Sequence, residues 1–219
     1  MTKLLSAQEA AEMIEDGMTV MIGGFIGSGT PETLIDELVT RKAKSLTLIA
    51  NDTGMPDRGV GKMVVAKQFK KIFASHIGTN PETGRQLNTR ETEVKLVPQG
   101  TLAEQIRSGG AGLGGILTPT GIGTIVAEGK QIIEIEGKSF LLETPLRADV
   151  ALIKAHKGDR SGNLVYRGTS RNFNPLMAMA ADLVIAEVEE IVETGEIDPD
   201  QVITPGIFVD FLVSSKGGN

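Results

Sequence analysis

One run of nine residues, Gly23-Gly24-Phe25-Ile26-Gly27-Ser28-Gly29-Thr30-Pro31, constrains this chain more than any other segment. It follows an apolar stretch at 18–22 and precedes a helical pattern at 32–39. The order is therefore strand, glycine-rich turn and helix, with Thr30 as the predicted N-cap and Pro31 as the first helical residue. Glycines let backbone approach a ligand closely, and a helix start presents unpaired N–H groups and a positive dipole end. An anion, most often a phosphate, suits such a turn. The order G-x-x-G-x-G, read from Gly24 to Gly29, is not the dinucleotide fingerprint, and no Lys-Ser or Lys-Thr follows it as in a Walker loop. A tight turn whose glycines serve packing alone is the plainer alternative.

What surrounds the turn reads as an α/β fold. Ser6-Ala7-Gln8-Glu9 is a capping box opening an amphipathic helix. Buried strands are expected at 18–22 and 45–50, then at 70–76, 92–97, 149–155 and 183–186. Helices are expected from Pro31 to about Arg41, and at 60–68, 101–108 and 175–181, with a β-hairpin around Gly137. This alternation predicts an open, mostly parallel, doubly wound sheet with flanking helices and a β-hairpin insertion. The 219 residues, 40% hydrophobic and 23% charged, are expected to form a single domain over 1–219, frayed at 214–219.

In open α/β sheets, ligands sit at the carboxyl ends of strands. Four predicted strand ends are polar and glycine-bearing: 23–29, Asn51-Asp52-Thr53-Gly54, His76-Ile77-Gly78-Thr79-Asn80-Pro81 and Pro98-Gln99-Gly100-Thr101. Their convergence would make one pocket. Otherwise each is ordinary turn chemistry. A second cluster, 109–115, carries five glycines and is expected to be neither helix nor strand. It would serve as a lid or as a loop pressed against another backbone.

The remaining chemistry is mostly exclusion. The chain has no cysteine, which rules out disulfides and thiolate catalysis. His76 and His156 lie 80 residues apart without ligand spacing, so no metal site is expected. A net charge of −6 argues against a nucleic-acid surface. No segment reaches the length of a membrane span, and no signal peptide is recognisable, so a cytoplasmic location is expected. Glu104, Glu128 and Glu143 lie near glycine-rich segments, but nothing marks any of them as a nucleophile.

Seven segments, in order, resemble the alpha subunit of class I, 3-oxoacid-type CoA-transferases over essentially the whole chain. They are DGMTVMIGGFIGSGTP (16–31), LTLIANDTG (46–54), SHIGTNPETG (75–84), VPQGTLAEQIRSGGAGLGG (97–115), TPTGIGT (118–124), PLRADVALIKAHKGDRSGNLVYR (145–167) and RNFNPLMAMAAD (171–182). The resemblance implies half of a transferase, completed by a beta subunit in a heterotetramer or larger assembly. Its substrates would be a CoA thioester and a free short-chain carboxylate, with no permanently bound cofactor. The nucleophilic glutamate would be on the beta subunit, passing through an acyl-glutamyl anhydride to a glutamyl-CoA thioester. The segment Gly23 to Gly29, including Phe25 and Ile26, matches the family's CoA-binding stretch. Ser28 falls at an open position of that signature. Gln99 matches a glutamine held to support the oxyanion.

NDTG and SHIGTNPETG look like the acetate or acetoacetate branch, while 151–163 also resembles succinyl-CoA:3-oxoacid and 3-oxoadipate transferases. Two readings of other classes stand beside this one. The first is a nucleotide-binding oxidoreductase with Asp52 on a ribose, weakened because Asp52 lies about 28 residues past Gly24 rather than about 20. The second is a non-enzymatic CoA- or nucleotide-binding module, which the same fold permits.

Overall fold

The structure, a computed structural model, describes residues 3–216. Its strands are β1 (Lys3–Leu5), β2 (Thr19–Ile22), β3 (Leu46–Ile49), β4 (Phe69–Ala74), β5 (Glu93–Leu96) and β6 (Ile116–Thr118), then β7 (Ile132–Ile135), β8 (Lys138–Glu143), β9 (Ala148–Asp159), β10 (Leu164–Val165), β11 (Ala181–Val192) and β12 (Phe211–Ser214). The α-helices are α1 (Ala7–Glu12), α2 (Glu32–Arg41), α3 (Gly61–Val65), α4 (Pro81–Asn88), α5 (Gln99–Gly110) and α6 (Asn174–Met179). The large sheet has the order β1-β12-β11-β9-β2-β3-β4-β5, parallel throughout, with β10 antiparallel against β9. The predicted hairpin is β7–β8, and β6 joins it as a third antiparallel strand.

Both faces of the sheet are covered, which is why its central strands read as unbroken apolar runs. Val20, Ile22, Leu48, Val150 and Leu152 pack with α1, α2 and α3, among them Ala11, Leu34, Leu38 and Met63, and with Ile14 just past α1. The alternate residues Met21, Ile49, Ala151 and Ile153 pack on the other face with Leu102 and Ile106 of α5 and Met177 of α6. From β2 the chain winds outward through β3, β4 and β5. From β9 it winds the other way, through β11 and β12. The direction of winding therefore reverses between the neighbours β2 and β9, and the crevice beyond their carboxyl ends is the place this architecture offers to a ligand.

Several elements depart from expectation. The N-cap of α2 is Pro31, not Thr30, and Pro31 makes no side-chain cap. The first-turn N–H groups of Thr33 and Leu34 donate instead to Glu187 Oε2, at 2.9 and 3.2 Å. Glu187 is a β11 residue only 1% exposed, and its other oxygen accepts Lys154 Nζ at 3.0 Å and Ser215 Oγ at 2.9 Å. A distant carboxylate thus does the work a local hydroxyl would do, and it suits the positive end of the helix.

Gly109 and Gly110 are helical, closing α5, contrary to expectation. At Gly109 a Cβ would come 2.0 Å from the Leu146 carbonyl oxygen, so close backbone packing explains the residue. The helix expected at 60–68 is trimmed to α3, and α4 is an element that local signals did not reveal, although Asn80 caps it through Glu82 N–H at 3.2 Å. Fraying was expected at 214–219. However, Ser214 ends β12, Ser215 is buried and Lys216 N–H donates to Thr33 Oγ1 at 2.9 Å, while 217–219 lie outside the described residues.

Candidate functional site

The carboxyl end of β2 runs directly into the glycine-rich turn, beside β9, at the reversal of winding. Gly23 N–H still donates to Leu152 C=O of β9 at 2.9 Å. Phe25 and Ser28 then exchange two backbone hydrogen bonds, of 2.9 and 3.0 Å, closing a tight hairpin. Its central residues, Ile26 and Gly27, both have positive φ, at 46° and 88°, as a type I′ turn requires. Glycine adopts that conformation freely, but for a β-branched isoleucine it is strained.

The strain is held by Asp52. Its Oδ2 accepts Ile26 N–H at 2.9 Å and Asn51 Nδ2 at 2.8 Å, and its Oδ1 accepts Gly54 N–H at 2.8 Å. Asp52 is 4% exposed, so these donors replace the water a buried carboxylate would otherwise need. The strand ends singled out in the sequence do converge. Asp52 pairs with His76 across β3 and β4, and Ser75 Oγ donates to Asn51 C=O at 2.7 Å. Thr79 Oγ1 donates to Gly54 C=O at 2.6 Å, and Asn80 Nδ2 donates to Thr53 C=O at 3.0 Å.

Gln99, the first residue of α5, joins the same network. Its Nε2 donates to Asn51 Oδ1 at 2.6 Å. The carboxylate of Asp52 is acceptor-only, which orients the Asn51 amide with nitrogen toward Asp52 and oxygen toward Gln99. The Gln99 amide is oriented in turn, and one of its two N–H groups stays unused among the described residues. Just beyond Gln99, a groove of about 550 Å³ runs between α5 and β6, lined by Gly100, Thr101, Glu104, Leu117 and Thr118.

Among the described residues, the N–H groups of Gly24, Gly27 and Gly29 find no partner. The hollow beneath the loop, between Gly24, Thr30, Asp52 and Val60, measures about 10 Å³. That is room for about one water. A group larger than a water would fit only on the outer face of the loop, where Phe25 and Ile26 are 45% and 38% exposed. The other carboxylates noted in the sequence have structural employment: Glu104 pairs with Arg107 at 3.0 Å, and buried Glu143 pairs with Lys130 at 2.6 Å. Glu128 lies beyond the turn at Ile125–Ala127. No group of three or more His, Asp or Glu side chains that would hold a metal occurs among the described residues. Nor is any helix among them long and apolar enough to cross a membrane.

The profile of the family described as coenzyme A transferase matches residues 4–215. This chain belongs to that family. It is 56% identical over 215 residues to the acetate CoA-transferase subunit alpha of Escherichia coli K12, covering 98% of each chain. It is 50% identical over 212 residues to the acetoacetyl-CoA:acetate/butyrate CoA transferase alpha subunit of Clostridium acetobutylicum, covering 97% of each. An acyl-CoA transferase from E. coli O157:H7, solved as a thioester complex with CoA, superimposes with a TM-score of 0.89 at 24% identity. It aligns with 98% of this chain, which spans 47% of the length of that one, and the likeness speaks to the coenzyme A transferase fold.

The sequence singles out the loop and Gln99 as candidates but not the residues that hold the loop. The sequence offers Asp52 as a strand-end residue and as a ribose ligand in the oxidoreductase reading, not as the brace of the loop. Asn172 and Asn174 stand in a matching segment to which the sequence gives no role; the structure shows Asn174 buried and both side chains bonded to backbone.

Proposed function

We propose that residues 1–219 form one alpha-subunit domain of a two-subunit CoA-transferase. The enzyme would move CoA between a short-chain acyl-CoA (acetyl-, butyryl- or acetoacetyl-CoA) and a free carboxylate. The observation that carries this reading is the glycine loop at the winding reversal. It offers three unpartnered backbone N–H groups, and the carboxylates packed around it are already committed. The N–H groups of Gly24, Gly27 and Gly29 suit an anionic part of the CoA thioester. Asp52 accepts three donors, and Glu32 accepts Gly59 N–H at 2.7 Å and Lys62 Nζ at 2.6 Å, so hydrogen bonds and a cation stabilise the charge of both carboxylates and lower their nucleophilicity.

The nucleophile then comes from the partner. A beta-subunit glutamate attacks the thioester carbonyl, and the sulfur leaves as the CoA thiolate, giving an acyl-glutamyl anhydride. The thiolate attacks the glutamyl carbonyl and releases the first acid, leaving a glutamyl-CoA thioester. The acceptor carboxylate runs the same two steps in reverse. Gln99, oriented by Asn51, directs its spare N–H at the developing oxyanion.

Co-expression with a beta-type subunit, followed by assay of CoA exchange between acetyl-CoA and butyrate or acetoacetate, tests the reading. Exchange only in the mixed complex is the expected result. A well-folded complex inert toward both acids would overturn it.

A further inference from the structure

The glycine loop is held on one side by Asp52. The opposite side is held by a strap, residues 169–174, which leads into α6. Asn174 is fully buried. Its Oδ1 accepts Lys154 N–H of β9 at 3.0 Å, and its Nδ2 donates to Gly29 C=O at 3.0 Å and to Ser170 C=O at 2.8 Å. Asn172 Nδ2 donates to Ser28 C=O at 3.0 Å and to Thr169 C=O at 2.9 Å, while its Oδ1 accepts Phe173 N–H at 2.7 Å. Ser28 Oγ lies 3.4 Å from Thr169 Oγ1.

The strap also explains two of the loop's glycines. A Cβ on Gly23 would sit 1.8 Å from Asn174 Oδ1, and one on Gly29 would sit 2.4 Å from Ser170 C=O. Gly27 has no such neighbour, the nearest atom to its notional Cβ being Arg58 Cδ at 3.5 Å. The two ends of the loop are glycines because the strap presses on them, and Gly27 at the tip is glycine for its backbone angle.

From this geometry we infer that Asn172 and Asn174 are positioning residues for CoA-thioester binding. They bond the carbonyls of Ser28 and Gly29 on the strap side. The Ser28 carbonyl shares its peptide plane with the free N–H of Gly29, so that donor is fixed directly, and anchoring this end of the loop sets the position of the turn that carries the N–H groups of Gly24 and Gly27. Both asparagines act through amide nitrogens on backbone carbonyls. An aspartate of the same shape would therefore oppose its own oxygen to each carbonyl and release the loop. The inference rests on the glycine loop being the CoA loop, and the experiment separates the two.

The test uses the two-subunit complex and variants Asn172→Asp, Asn174→Ser and Gly27→Val, with KM for acyl-CoA, KM for the carboxylate, kcat and melting temperature measured for each. The strap variants are expected to raise the acyl-CoA KM at least tenfold, with the carboxylate KM within threefold of the parent. In Asn172→Asp, at the partly exposed end of the strap, the melting temperature should hardly move. A residue of purely structural importance would instead lower the melting temperature and the yield of complex, leaving the constants of the folded enzyme unchanged. If buried Asn174→Ser does not assemble, Asn172→Asp decides alone. An acyl-CoA KM unchanged in the strap variants but raised in Gly27→Val would overturn the strap while keeping the loop. An unchanged value in Gly27→Val as well would remove the loop from CoA binding altogether.

Discussion

Single side chains at this site act mainly by fixing the direction of others. Gln99 has an amide whose two ends look alike to a packing argument, yet only its nitrogen can stabilise negative charge. Asn51 settles the matter, because its own nitrogen is claimed by Asp52 at 2.8 Å and only its oxygen remains for Gln99. Replacing Gln99 by alanine in the two-subunit enzyme is expected to lower kcat about 10²- to 10³-fold, the usual effect of losing one preorganised oxyanion donor. Substrate KM values should change little, and steady-state kinetics with saturating acyl-CoA read this directly. A kcat within twofold of the parent would remove Gln99 from the transition state. The oxyanion role proposed for Gln99 comes from the resemblance of its Pro-Gln-Gly motif; its place in the Asn51–Asp52 network comes from the structure. The role of Asp52 was not legible, since the bond to Ile26 spans 26 residues and rescues a backbone angle that isoleucine rarely adopts.

Elements were readable wherever local chemistry decided them and obscure wherever a distant residue did. The capping box at Ser6 and Glu9 forms as the spacing predicts, and the hairpin turns at Glu136 and Gly137, both at positive φ. The start of α2 was misplaced because Glu187, more than 150 residues away in sequence, supplies its cap. Strands β1 and β12 went unseen because each is very short, and β1 is defined by pairing with the other end of the chain. Glu187→Ala should lower stability by about 3–5 kcal/mol, since it strips two helix donors and leaves the Lys154 ammonium buried without its counter-charge. Urea unfolding measures it, and a loss below about 1 kcal/mol would show that water replaces the carboxylate. Helix α4 offers a milder test. The Arg85 guanidinium bridges Glu82 and Glu91, holding each carboxyl down at about 2 from an ordinary 4.5. A depressed carboxyl stabilises the fold above its unfolded pKa, and that contribution fades as pH falls from about 4.5 toward 2. Arg85→Ala is expected to move the acid-unfolding midpoint to higher pH, by an amount that shrinks in high salt because Arg85 and Glu91 are exposed and Glu82 partly so. Coincident acid-unfolding curves for the two proteins would mean that the triad contributes nothing.

At the scale of the whole molecule, the proposed division of labour gives this chain the binding and orienting and gives its partner the nucleophile. Its strand ends meet at the winding reversal and supply a braced loop, a directed amide and backbone donors. The carboxylates that reach this crevice spend their oxygens on backbone N–H groups, on Asn51 or on Lys62. The covalent step is therefore expected on the other subunit, and it can be located by intact-mass spectrometry of the denatured complex after brief exposure to acyl-CoA. The partner chain should gain the mass of one CoA, less water, as a thioester. This chain should keep its own mass, whether incubated alone or in the complex. The readout is clean on this side, because a chain with no cysteine cannot form a mixed disulfide with CoA and mimic the adduct. A CoA-sized gain on this chain would place the nucleophile among its own carboxylates and break the division of labour between the subunits.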